Sequence, residues 1–111
     1  MTNNPKWRKT KFRSMVRSQE GPLVAILRDG WTDGEYNYFK GESEGRKCWF
    51  AIDKDSGMSF CKGVTKDHIY EKAHSEAVQK DLAEHKKSEK YKEQIKIWYD
   101  LLVECGAIME V

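Results

Sequence analysis

Residues 47–63, KCWFAIDKDSGMSFCKG, decide the fold. KCWFAID (47–53) alternates along an extended chain, with Cys48, Phe50 and Ile52 on one side and Trp49 and Ala51 on the other. Asp53, Lys54, Asp55, Ser56 and Gly57 then form a compact turn, with a glycine available for a left-handed position. MSFCKG (58–63) returns as the partner strand, Met58 and Phe60 on one face. The segment predicts a β-hairpin.

Upstream, Asp33-Gly34 signals a turn and EYNYFKG (35–41) is rich in β-favouring aromatics. The polar, glycine-flanked GESEGR (41–46) joins it to the hairpin. Residues 23–28 form a short apolar run between Gly21-Pro22 and Asp29-Gly30, which suits a buried strand. Downstream the period changes. Thr65 is placed to cap a helix, Asp67 falls in its first turn, and Ile69, Ala73, Ala77, Val78, Leu82 and His85 recur at helical spacing. KKSEK (86–90) interrupts, and Ser88 is placed to cap a second helix carrying the stripe Tyr91, Ile95, Trp98 and Leu102. Gly106 suits the end of that helix, and AIMEV (107–111) reads as a fifth strand. The predicted fold is α+β: an antiparallel four- to five-stranded sheet (meander) packed on one face by C-terminal helices. Residues 21–111 form the single domain and residues 1–20 a basic-aromatic N-terminal arm.

The arm is the main functional clue. The first eighteen residues hold six basic side chains (Lys6, Arg8, Lys9, Lys11, Arg13 and Arg17) and no acidic one, with Trp7, Phe12 and Met15 among them. The other 93 residues hold 14 Lys and Arg against 18 Asp and Glu, a net of −4, so the chain's overall +2 conceals a strong asymmetry. Residues 1–10 read as a mobile lead-in, and the spacing of Phe12, Met15 and Val16 predicts one or two helical turns. A basic-aromatic arm on an acidic body suits anionic partners.

The 111 residues suffice for one core, and 39% hydrophobic with 12% aromatic residues exclude a disordered chain. Three cysteines (Cys48, Cys61, Cys105) without close spacing read as buried, reduced thiols of a cytoplasmic protein. The basic N-terminus has no apolar run behind it, and no stretch approaches the roughly 20 apolar residues of a membrane span.

DKDSG has its glycine fifth, where a calcium loop needs it sixth, and Val64 stands where that loop needs a glutamate. His68, His74 and His85 form no zinc spacing with the cysteines. Cys48, Cys61 and His68 are the nearest approach to a thiol–base pair, but Cys48 shares its side with Phe50 and Ile52. The paired acids Asp53 and Asp55 lack the surroundings of a nuclease site. With no phosphate loop or nucleophile elbow, the chain reads as a non-enzymatic binding protein without cofactor or metal.

A strip of aromatics (Trp31, Tyr36, Tyr38, Trp49) with basic neighbours (Lys40, Arg46, Lys47, Lys62) is suited to stack bases or grip a partner if its sheet face is open. Tyr36 and Tyr38 lie opposite Phe39, and hydropathy predicts Phe39 inward and both tyrosines outward. The expected binding residues are therefore Lys6, Trp7, Arg8, Lys9, Lys11, Arg13, Arg17, Tyr36, Tyr38 and Lys40. GVTKDHIYEKA (63–73), in its turn and cap chemistry alone, resembles the small sheet-plus-helix arm-binding domains of phage integrases, whose sheet enters a DNA major groove. That resemblance carries no family assignment. Two expectations of function follow. The first is a module that binds nucleic acid or a nucleoprotein through the arm. The second is a small inhibitor or adaptor, of the kind phages and mobile elements direct at host nucleases, acting on a nucleic-acid-binding protein complex.

Overall fold

The computed structural model describes residues 6–104. Five strands run as an antiparallel meander in the order β1 (Arg8–Arg17), β2 (Leu23–Thr32), β3 (Asn37–Ser43), β4 (Arg46–Ile52) and β5 (Ser59–Gly63). Helices α1 (Lys66–Ala73), α2 (Glu76–Lys86) and α3 (Glu89–Glu104) follow and pack against the sheet. This is the α+β architecture expected, with the hairpin of residues 47–63 forming the edge of the sheet opposite β1. Among the described residues no helix is long and apolar enough to cross a membrane.

One strand forms where none is expected from the sequence. AIMEV lies outside the described residues, whereas residues 8–17, read as part of a separate arm with helical turns, form the edge strand β1. All ten of its residues are in register with β2, from Arg8 opposite Thr32 to Arg17 opposite Leu23. Ten ladder positions against an apolar strand outweigh a helical spacing of three residues, since isolated short helices are marginal in water. β2 meets β3 through Trp31–Tyr38 and Thr32–Asn37, so most of the β1–β2 ribbon diverges from the rest of the sheet. The ribbon is held at its outer edge, where Met15 N donates to Gly57 O at 2.5 Å.

Local signals set the connections. Glu44 and Gly45, both at positive φ (53° and 78°), form the two-residue link between β3 and β4 that strand twist favours. Thr65 caps α1 by accepting from His68 N, and Ser88 Oγ accepts from Tyr91 N at the start of α3. The single helix expected over 65–85 is broken at His74 because Ser75 Oγ accepts from Val78 N and starts α2. The buried cluster joins Tyr36, Tyr38 and Ala51 of the sheet side to Ile69 and Ala73 of α1 and Leu82 of α2. Trp98 of α3 is buried beside Gly57.

Candidate nucleic-acid interface

Strand alternation sorts the basic residues of β1. Lys9, Lys11, Arg13 and Arg17 project from one face of the ribbon and Arg8 from the other. Arg8, Lys9, Lys11 and Arg17 are exposed and Arg13 is half-buried; Lys6, just before the strand, is exposed. From residue 6 to 32 the ribbon carries seven basic side chains against Glu20 and Asp29, a net of +5. Lys11 Nζ lies 3.5 Å from Asp29 Oδ1, a pair so exposed (70% and 84%) that it neutralises little. A groove of about 470 Å³ runs beside Lys9, Thr10, Lys11, Asp29, Gly30 and Trp31. Lys40 is exposed on β3.

Three expected binding residues are placed elsewhere. Trp7 does not extend from a free arm; its ring stacks on Tyr38 (centroids 4.3 Å, 13° between planes) and meets Trp49 edge-on at 5.4 Å. Tyr36 and Tyr38 face inward, buried to 5% and 0% exposure, while Phe39 lies half-buried on the opposite face. The inversion has a polar cause. Tyr38 Oη donates to Asp33 Oδ2 at 2.5 Å and lies 3.3 Å from His74 Nε2, and Tyr36 Oη donates to Gln79 Oε1 at 3.0 Å. A buried tyrosine hydroxyl with a partner costs little, so hydropathy alone misjudges the face. Trp31 and Trp49, which meet edge-on at 5.2 Å, sit on this same helix-covered side.

Asp33 is the hub of that arrangement, and the sequence reading treated it only as a turn residue. Its Oδ1 accepts from Glu35 N and Tyr36 N at 2.8 and 2.7 Å, and its Oδ2 lies 2.7 Å from His74 Nε2. Burial alone would push its pKa up, but the bonds from Tyr36 N, Tyr38, His74 and Glu35 N outweigh burial and hold it below the usual carboxylate range. The ring of His74 also brings Nδ1 within 3.4 Å of Glu35 Oε2. The knot ties the β2–β3 turn to the α1–α2 junction. A second knot surrounds Asp53, whose Oδ2 accepts from Ser56 Oγ at 3.0 Å and Tyr91 Oη at 2.8 Å. Lys86 Nζ lies 3.5 Å from Asp53 Oδ1 and 3.2 Å from Asp55 Oδ2. The DKDSG segment is thus a hairpin turn fastened to α2 and α3.

The thiol–base trio does not assemble. Cys61 pairs in register with Ala51, whereas Cys48 stands on the opposite sheet face across from Gly41. Burial pushes the Cys61 thiol up to about 11, the reverse of an activated nucleophile. His68 Nδ1 accepts from Val64 N at 3.4 Å. Cys105 lies outside the described residues. A groove of about 520 Å³ between β5, α2 and α3 is lined by Cys61, Lys62, Lys72, His85, Lys90 and Tyr91, among others.

The face turned away from α1 and α2 was missed as a site. Across it, one residue per strand forms a row: Phe12 opposite Arg28, then Phe39 opposite Phe50, with Lys62 beside Phe50. The guanidinium of Arg28 lies 4.0 Å over the Phe39 ring, and Phe39 stacks on Phe50 (4.9 Å, 13°). Arg28, a lone cation in the apolar run before Asp29-Gly30, is the signal that could have marked this face. No protein-family model, curated protein or solved structure matches the chain.

Proposed function

We propose that the protein is a non-enzymatic nucleic-acid-binding module whose β1–β2 ribbon lays its basic face along a phosphate backbone. The observation that carries this reading is the projection of Lys9, Lys11, Arg13 and Arg17 from one side of a ten-residue antiparallel ribbon. Ten strand residues extend about 33 Å at roughly 3.3 Å each, long enough to follow several phosphates. A two-stranded ribbon is also of a size that a duplex major groove admits. Lys6 and Lys40 add charge at the margins, whereas Trp7, Tyr36 and Tyr38 support the scaffold.

Salt dependence tests it. If three to four phosphates are neutralised, the log–log slope of affinity against salt is about −3 to −4 on duplex. Lys9→Ala, Lys11→Ala and Arg17→Ala together should flatten that slope and weaken binding without lowering the melting temperature. Salt-independent binding, or binding that the triple variant leaves intact, would refute the ribbon as the contact. A second reading, an adaptor or inhibitor that seats the ribbon in a partner protein's nucleic-acid channel, is favoured by Leu27, 56% exposed and in register with Arg13. A phosphate backbone has no use for that side chain. Capture of one partner protein that survives nuclease treatment would select this second reading.

A further inference from the structure

We propose that the sheet face turned away from α1 and α2 is a stacking site for the unpaired bases of single-stranded nucleic acid. The inference rests on the nucleic-acid reading of the ribbon and specifies the strand class and a second set of residues. Its first support is the row Arg28–Phe39–Phe50–Lys62. Three planar groups lie in series, the Arg28 Cζ 4.0 Å from the Phe39 ring centroid and the Phe39 and Phe50 rings 4.9 Å apart and 13° from parallel. Such planes suit bases, because every base offers a π face to an aromatic or guanidinium surface. Phe39 and Phe50 are only half-buried, and α1 and α2 bury the other side of the sheet.

The second support is charge. By strand register, the charged side chains on this face of the five strands are Arg8, Arg28, Arg46 and Lys62, all cations. Arg8, Arg46 and Lys62 are exposed, placed to meet phosphates on either side of the ring pair. Arg28 is oriented by donating from Nε to Ser14 Oγ at 2.6 Å, and its terminal nitrogens make no hydrogen bond among the described residues. The third support is Gly41, on the same face beside the ring pair. A Cβ there would meet Phe39 Cε2 at 2.9 Å and Phe50 Cε2 at 3.2 Å, so glycine leaves room for both rings to lean over its backbone.

The test compares fluorescently labelled oligo(dT), oligo(U), an abasic phosphodiester strand and a duplex, all of equal length, by anisotropy. Wild-type protein should bind both base-bearing strands more tightly than the abasic one, and Phe50→Leu should remove that difference while leaving abasic binding unchanged. The expected loss is about 5- to 150-fold for one stacked base. In case Phe50→Leu fails to fold, 2-aminopurine placed in the strand should be quenched on binding to wild-type protein. Equal affinity for abasic and base-bearing strands, preference for the duplex, or unquenched 2-aminopurine in the bound strand overturns the stacking site. If binding then still falls with salt and with the ribbon triple variant, the ribbon reading stands alone. Absence of binding to all four probes overturns both.

Discussion

Tyr38→Phe is the sharpest probe of the scaffold, because it removes one oxygen and keeps the ring that stacks on Trp7. Tyr38 is fully buried, and its hydroxyl donates to the Asp33 carboxylate at 2.5 Å. Loss of a hydrogen bond to a charged group costs about 1.5–3 kcal/mol. Against a total of roughly 5–15 kcal/mol for a domain, that is a large fraction. Urea unfolding followed by tryptophan fluorescence should show a lower midpoint with an unchanged slope. The loss should also depend on pH. Asp33 titrates below its unfolded value, so its ionised form contributes stability above about pH 4 and loses it as pH falls through the folded value. Without the tyrosine donor the folded pKa of Asp33 moves up, so the gap between variant and wild type is full at neutral pH and narrows in acid. Burial and the Asp33 charge push the Tyr38 pKa up, so Tyr38 remains a donor throughout the assay range. A variant within about 0.5 kcal/mol of wild type at neutral pH, or a gap that does not change with acid, would refute the inward tyrosine and its bond.

Three further outcomes check the packing. Trp98→Ala should cost about 3–5 kcal/mol in urea unfolding, because the indole is only 6% exposed and fills the space over Gly57. Gly57→Ala should destabilise by at least about 1–3 kcal/mol, since its φ of +67° is left-handed and a Cβ would lie 2.6 Å from the Trp98 ring; a neutral effect would mean that α3 does not sit there. Cys61, its thiol pushed up to about 11 by burial, should react slowly with iodoacetamide at neutral pH and faster as pH approaches that value. Rapid neutral labelling would contradict its place under α1.

The parts of the fold that short-range chemistry decides were legible in the sequence. The hairpin around Asp53–Gly57, the caps at Thr65 and Ser88 and the Tyr91–Trp98 stripe each depend on neighbours a few residues away, and each is present. β1 was not legible in the same way. Lys9, Lys11 and Arg13 alternate with Thr10, Phe12 and Ser14, a period-two pattern that the apolar Met15 breaks. Met15 is buried, and its backbone N donates to Gly57 O, far along the chain, at the outer edge of β1. A local reading sees three apolar residues at helical spacing and a dense positive charge. The partner strand that makes the segment extended lies beyond the next turn.

The candidate binding residues were half legible for a related reason. Charge is a property of a residue, so the basic face of the ribbon follows from composition once the strand is known. Burial is a property of a partnership. Ranking Phe39 above Tyr38 by hydropathy assigns the phenylalanine to the core, yet Asp33, His74 and Gln79 supply what the tyrosine hydroxyls need and the phenylalanine could not use. Once the tyrosines occupy the helix-covered side, strand alternation sends Phe39 and Phe50 to the other face. There the rings lie among cations. Two half-buried phenylalanines set among Arg28, Arg46 and Lys62 follow from where the tyrosines found their partners, and that same choice is what equips the face to receive a ligand with both rings and phosphates.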